Sequence, residues 1–277
     1  MALNSVNTNA GAMVALQSLN KTNDALAVTQ KRISTGYRVA DAKDDGAAFA
    51  VAQTVRSQVA GLTAANEQLG GVKGILDTAL SSLGKVSDTM SDIRATLVRL
   101  ADDTLNDEQR SQYEAQYTDL QTKVQNFITD ATYNGRSLLS TDTSAGGGSI
   151  ATVRNENATT FTLNAVDGGS TLVVGSAPAD AASAASALAA GGDWETVNNA
   201  ISDALNTFGS NSKYIDSQIT YNNEKVDALK GGLGSLVDAD LAKESATLQS
   251  LQIRQQLGTQ ALSIANQAPQ SLLSLFR

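Results

Sequence analysis

Residues 69 to 100 place an apolar side chain alternately three and four positions apart, without a lapse. With a positions at Leu69, Leu76, Leu83, Met90 and Leu97, and d positions at Val72, Ala79, Val86, Ile93 and Leu100, both columns of a heptad repeat are filled. A stripe with this period is buried by packing one long helix against others. The register extends backwards through Ala48, Val51, Val55, Gln58, Leu62 and Ala65, with Gln58 as its polar lapse. A helix over residues 45 to 100 would be about 80 Å long at the rise of an α-helix. Gly70, Gly71, Gly74 and Gly84 each weaken intrinsic helicity by about 1 kcal/mol relative to alanine, so packing has to hold this rod together.

The rest of the chain continues the theme. Only Pro178 and Pro269 interrupt 277 residues, and 42% hydrophobic content with 4% aromatic content favours long helices rich in small residues over two aromatic-anchored cores. Residues 101 to 107 break the heptads, and Asn106 followed by Gln109 reads as an N-cap with a capping box. The second helix carries a seam of Tyr113, Tyr117, Leu120, Val124, Phe127 and Ala131 and stops at Asn134-Gly135, a turn signal. Its short linker makes it an antiparallel partner of the first.

From residue 140 to 192 the composition turns to Gly, Ser, Thr and Ala. Residues 159–165 and 171–174, flanking Asp167-Gly168-Gly169, read as a β-hairpin, and residues 177–192 as a short surface helix or a loop. This stretch is expected to be the most exposed and replaceable part. Asp193 is expected to cap a third helix with a seam of Ile201, Leu205, Phe208, Ser212, Ile215, Ile219, Asn222, Val226, Leu229, Leu233 and Leu236. Asn222 is either a buried polar residue fixing alignment or a partly exposed one.

Residues 1–20 and 255–276 carry no charged side chain in a chain that is 17% charged. Chain ends are normally polar and solvent-facing. Two uncharged, helix-patterned ends imply burial against each other or against other copies, which points to assembly rather than catalysis. The predicted fold class is mainly α: long antiparallel helical rods in a coiled-coil-like bundle, a small β-hairpin insertion, and N- and C-terminal helices paired in an inner domain. The predicted ranges are 1–42 with 243–277 for the inner domain, 43–139 with 193–242 for the rods, and 140–192 for an insertion at their outer tip.

Several functions are disfavoured. A formal charge of −8 argues against nucleic-acid binding, which needs clustered Lys and Arg. The chain has neither cysteine nor histidine, removing disulfides, thiol nucleophiles, the commonest general base and the commonest transition-metal ligands. Acidic pairs such as Asp102-Asp103 lack a calcium-binding loop and read as surface carboxylates. No enzyme activity, metal or cofactor is expected. The N-terminus lacks a basic n-region and an unbroken apolar run, and no window reaches 18 apolar residues, so neither a cleaved leader nor a membrane span is predicted.

Certain stretches carry a resemblance. Val6-Asn7-Thr8-Asn9, the run Arg32-Ile33-Ser34-Thr35-Gly36-Tyr37-Arg38-Val39 with Ala42-Lys43-Asp44-Asp45, and Gln255-Gln256-Leu257-Gly258-Thr259 with Ala265-Asn266-Gln267-Ala268-Pro269-Gln270 and Leu272-Leu273-Ser274-Leu275-Phe276-Arg277 resemble the terminal signatures of bacterial flagellins. The chain is similar to a short flagellin lacking large outer domains. The resemblance implies that the paired termini line a central channel and drive polymerisation, through Val6, Asn7, Asn9, Met13, Leu16, Leu19, Arg32, Ile33, Gly36, Gln256, Leu257, Ile264, Asn266, Gln267, Pro269, Leu272, Leu273, Leu275 and Arg277. Pro269 is expected to end the last helix. A rod seam of Leu69, Leu76, Leu83, Met90, Ile93, Leu97, Leu100, Tyr117, Leu120, Val124, Ile215, Ile219, Val226, Leu229 and Leu233 would form the next shell.

The resemblance further implies a subunit exported unfolded by the flagellar type III apparatus to the cell exterior. Its implied partners are other copies or sister flagellins, a filament cap protein, a hook–filament junction protein, a secretion chaperone and the export gate. The alternatives are a hook–filament junction protein itself and a non-flagellar coiled-coil interaction module. Lys43-Asp44-Asp45 is either an intersubunit charge contact or a solvated helix start. The uncharged Gln and Asn of residues 255–270 either satisfy one another between subunits or face solvent. The vertebrate Toll-like flagellin receptor reads a patch matching residues 91–98 and the neighbouring helix. Asp92, Thr96 and Gln116 depart from its usual ligands, so poor activation is expected.

Overall fold

The computed structural model describes the backbone of residues 8–275 and side chains through Gln267. The elements are α1 (Ala10–Thr35), α2 (Gly46–Leu100), α3 (Asp107–Thr129), β1 (Ile150–Val153), β2 (Thr160–Leu163), the single turn α4 (Gly168–Thr171), α5 (Ala181–Leu188), α6 (Asp193–Val237) and α7 (Leu241–Leu275). They form two compact units, Met1–Ser57 with Ala228–Arg277, and Gln58–Asp227, and α2 and α6 each run through the division.

In the unit of residues 58–227, all ten heptad positions of α2 from Leu69 to Leu100 are buried. α3 runs antiparallel to α2: Arg110 donates to the Leu100 carbonyl at one end, and the Ser82 hydroxyl donates to the Phe127 carbonyl at the other. α6 also runs antiparallel to α2, with Trp194 Nε1 donating to the Met90 carbonyl and Lys73 paired with Asp216. The Asn106 capping box that starts α3 is present. After α3, Asn134 and Gly135 both take the left-handed conformation, so the chain reverses with Tyr133 paired to Arg136.

The seams differ in detail from the pattern. Ile128 is buried where Phe127 is only half-buried, because the α3 stripe drifts by one residue toward the core. Backwards along α2, Val51 is exposed and Ala52 is buried. The 3.5-residue register drifts against the 3.6-residue helix when no supercoil is sustained.

The insertion departs most from expectation. β2 pairs not with residues 171–174 but with β1, in the register Ile150↔Leu163 and Thr152↔Phe161. The reversal is built at residues 154–159, where the Asn155 carboxamide oxygen accepts from the Asn157 and Thr159 amides and Ala158 sits at φ 56°. Gly168 is needed for close approach, not for a hairpin turn: a Cβ there would lie 2.6 Å from both the Leu139 carbonyl and Ile128. Nor is the segment an exposed appendage. Leu163, Leu172, Val174 and Ala184 are at most 2% exposed and belong to the core that α2, α3 and α6 share. α5 is a real helix with an Asp180–Ser183 capping box. Asp193 does not cap α6; it is the first helical residue, and its carboxylate accepts from the Gly175 amide.

In the other unit α1 lies antiparallel along α7, as the contacts Asn9 with Ala265, Leu19 with Gly258, Asn23 with Gln255 and Arg32 with Glu244 define. Gly258 faces Leu19 across this pair, and a Cβ there would sit 3.2 Å from Leu19 Cδ1. A second small core of Val39, Ala48, Ala52 and Val237 forms where the 36–45 loop meets the α6–α7 corner. Pro269 does not end the last helix: α7 continues through it to Leu275.

Candidate assembly site

The terminal helix pair begins from its caps. Asn9 precedes α1, and its side-chain oxygen accepts from the Ala12 amide, the usual cap for otherwise orphaned donors. At the other end Gly36 adopts φ 74° and its amide donates to the Arg32 carbonyl, turning the chain into the 36–45 loop. That loop supplies hydrogen bonds that α6 lacks at its C-terminus. Arg38 and Val39 amides donate to the Val237 carbonyl, the Arg38 guanidinium to the Leu236 carbonyl, and in return the Ala239 amide donates to the Gly36 carbonyl. Asp240 then caps α7 by accepting from the Ala242 and Lys243 amides.

Lys31 organises the loop. Its Nζ lies 2.8 Å from both the Asp41 and the Asp44 carboxylates. The ammonium and the Ala40 amide hold the Asp44 carboxyl down to about 2, and Lys31 with the Lys43 amide depresses Asp41 as well. The same carboxylates push the lysine up. Asp45 accepts from the Ala47 and Ala48 amides and so starts α2. Asp44 therefore pairs within its own chain, an arrangement outside the two expected for Lys43-Asp44-Asp45.

Along the helix pair itself burial is sparse. Thr29 is the buried residue of α1, and Leu251 is the buried apolar residue among the described side chains of α7. Met13, Val14, Leu16, Ile253, Leu257 and Ile264 are between 48% and 68% exposed. Of the residues assigned to the inner core by resemblance, Asn9, Leu19, Arg32, Ile33 and Gly36 are half-buried, whereas Met13, Leu16, Gln256, Leu257, Ile264, Asn266 and Gln267 are exposed. Val6, Asn7 and Arg277 lie outside the described residues, as do the side chains of Pro269, Leu272, Leu273 and Leu275. From the amide-rich stretch, Gln255 reaches α1 and donates to Asn23 at 2.8 Å.

The rod-seam residues stand differently. Leu69, Leu76, Leu83, Met90, Ile93, Leu97, Leu100, Tyr117, Val124, Ile215 and Val226 are buried, while Leu120, Ile219, Leu229 and Leu233 are half-buried. Asn222 is fully buried and well satisfied: its amide donates to Asn66 Oδ1 and to the Arg154 carbonyl, and its oxygen accepts from Gln218. Of the three receptor-patch positions, Asp92 and Gln116 are exposed, but Thr96 is 1% exposed with its hydroxyl turned to the Asp92 carbonyl. Thr96 therefore cannot be part of a surface that a partner reads; helix geometry places it beside Leu97 on the core side.

Sequence reasoning missed what ties the β-hairpin down. Phe161 stacks on Tyr214 with centroids 4.5 Å apart, Arg154 donates to the Tyr214 hydroxyl, and Lys225 pairs with Glu156. Burial pushes the Tyr117 phenol above its ordinary range, and its hydroxyl donates to the Gly175 carbonyl. These pairings span 53 to 69 residues and leave no local signal. Among the described residues no group of three or more acidic side chains could hold a metal, and no helix is long and apolar enough to cross a membrane.

Comparison with known proteins bears on what such a surface is for. Residues 6–144 match the family model for the bacterial flagellin N-terminal helical region, and residues 193–276 match the one for the C-terminal helical region. The chain is 38% identical to flagellin FljK of Caulobacter vibrioides, covering 100% of both proteins, and 35% identical to a flagellin of Brucella melitensis, covering 99% of both. The crystal structure of Bacillus cereus flagellin aligns with 66% of this chain and 94% of its own at 19% identity and a TM-score of 0.36, so the assignment rests on the sequence matches. A match to both terminal models, and full-length relatives of nearly the same size, place this chain in the bacterial flagellin family.

Proposed function

We propose that the α1/α7 pair is an unfinished interface which other copies of the chain complete. As a flagellin the chain is a structural subunit of the bacterial flagellar filament, which serves swimming motility. The observation that carries the proposal is the row of exposed apolar side chains, Met13, Val14, Leu16, Ile253, Leu257 and Ile264, on helices that are otherwise nearly free of charge there. Ordering backbone costs about 1–2 kcal/mol per residue, whereas burying a Leu or Ile returns about 1.5–3 kcal/mol. One buried leucine cannot offset the ordering of two helices, so burial has to come from neighbours. The role is structural, without a chemical step.

The exterior of the cell is the place of action, reached unfolded through the flagellar type III apparatus. A chaperone and the export gate handle the chain on the way, and the cap protein and a hook–filament junction protein meet it in the growing filament. The absence of cysteine suits passage in an unfolded form. Asp92 and Gln116, both exposed, keep the proposal of weak recognition by the vertebrate receptor, now without Thr96.

The purified full-length chain, seeded and concentrated in salt, is expected to elongate into long filaments visible by electron microscopy. Assembly that stops at short rings or stays monomeric at all concentrations would favour a junction protein or a free coiled-coil module and sink this reading.

A further inference from the structure

We infer that Asn9 is a positioning residue that sets the register of α1 on α7, and that Pro269 is what makes it selective. Proline has no backbone N–H, so a helix running through position 269 leaves the carbonyl four residues earlier, Ala265, without its intrahelical donor. That carbonyl accepts from Asn9 Nδ2 at 2.7 Å. The same side chain uses its oxygen to cap α1 through the Ala12 amide at 3.0 Å. One carboxamide thus satisfies an orphan donor at the start of one helix and an orphan acceptor inside the other.

The consequence follows from the character of the two strands of contact. Residues 1–20 and 255–276 carry no charge, so no ion pair distinguishes one alignment of the helices from another there. Their polar residues are Asn, Gln, Ser and Thr; Arg32–Glu244 and Asn23–Gln255 hold the pair further along, and sliding the outer ends by one helical turn, about 5.4 Å, breaks no ion pair there. It would, however, leave the Ala265 carbonyl unpaired and move the Asn9 amide opposite carbonyls that already have helical partners. Pro269 therefore marks one acceptor on α7, and Asn9 reads it. This deepens the proposal that the terminal pair carries polymerisation, and it rests on that reading.

A double-mutant cycle in the full-length chain tests the pair. Asn9→Ser keeps a good helix cap and adds no charge but cannot supply the amide donor. Pro269→Ala returns a backbone donor to the Ala265 carbonyl. Asn9→Ser alone is expected to raise the critical concentration for filament elongation about tenfold, the effect of one unsatisfied, half-buried carbonyl. Pro269→Ala together with Asn9→Ser is expected to bring it back to within about twofold of Pro269→Ala alone, the non-additivity that coupled groups show. An Asn9→Ser effect of equal size in both backgrounds, or no effect in either, would overturn the inference. Amide exchange over residues 10–19 and 258–268 gives a second readout. Protection lost in Asn9→Ser and regained in the double variant supports the lock even if the unmodified chain makes no filaments, an outcome that would defeat only the polymerisation reading. Protection unchanged across all four chains would overturn the lock.

Discussion

The unit of residues 58–227 and the unit holding α1 and α7 are built from similar helices, yet one buries its helices along a continuous seam, whereas the other closes only the small core around Val39 and Val237 and leaves the α1/α7 pair largely exposed. In the first, α2, α3 and α6 bury a continuous seam, and the β-hairpin, α4 and α5 add Leu163, Leu172, Val174 and Ala184 to it. In the second, α1 and α7 meet as a single pair, and a pair of helices has only one contact line. Leu and Ile placed around the rest of their circumference remain in solvent. Three helices around a seam can satisfy a wide apolar stripe within one chain; two cannot. The outer ends of these helices, residues 10–20 and 255–275, carry no charged side chain, so they gain most from meeting other copies.

Hydrogen exchange offers the largest test of this contrast. In the monomer, amides of α2 within residues 69–100 are expected to exchange at the rate of global unfolding, and those of α1 and α7 orders of magnitude faster. Polymerisation should slow the second group toward the first. Equal protection in the free chain would break the comparison.

Core truncation sharpens it next. Leu83→Ala is expected to cost about 2–5 kcal/mol in denaturant unfolding of the monomer. Leu257→Ala, at an exposed site, should move the same transition by less than about 0.5 kcal/mol. It should nonetheless raise the critical concentration for assembly, which Leu83→Ala affects only through folding. A large monomer effect for Leu257→Ala would mean that α7 is already packed within one chain.

A smaller effect is expected from Asn222→Ala, about 1–3 kcal/mol, because Asn66 and the Arg154 carbonyl lose a buried partner. Guanidinium unfolding measures it, and a neutral result would show that the buried amide network adds nothing to the closed unit.

The smallest concerns pH and the 36–45 loop. Asp41 and Asp44 titrate below their ordinary range in the folded chain, so their contribution is complete above about pH 4 and is lost as the pH falls toward 2. Loop amides of residues 38–45 should lose protection over that window, and Asp44→Asn should flatten the dependence. Both side chains are solvent-accessible, so the shift in overall unfolding should be slight. Protection that is flat from pH 4 to 2 in the unmodified chain would remove the Lys31 pairing from the account.

Legibility in the sequence followed the range of the interaction. The α2 heptads, the Asn106–Gln109 capping box and the Asn134-Gly135 reversal depend on residues within a turn or a few turns, and each stands in the structure, although α3 ends at Thr129, ahead of the reversal at which the pattern stops it. The partner of β2 is not legible locally, because two segments of similar β character flank it, residues 150–153 and 171–174. The choice was settled by the Asn155 turn and by Phe161 stacking on Tyr214, more than 50 residues away. Pro269 reads as a stop in the sequence because its missing donor leaves a carbonyl of the preceding turn without a helical partner. Asn9, at the other end of the chain, removes that cost by supplying the hydrogen bond.

Periodicity and the scarcity of proline determined the helical rods, the terminal signatures carried the family resemblance, and the two uncharged ends pointed to burial against other surfaces. Those are properties of side-chain order and composition, and no folding is needed to read them. Which residues share a core was decided only in three dimensions. The turn-rich middle segment became part of the bundle, Thr96 turned inward, and Asn9 found Ala265, because each outcome depends on groups far apart in sequence that must satisfy one another's hydrogen bonds and fill one another's space.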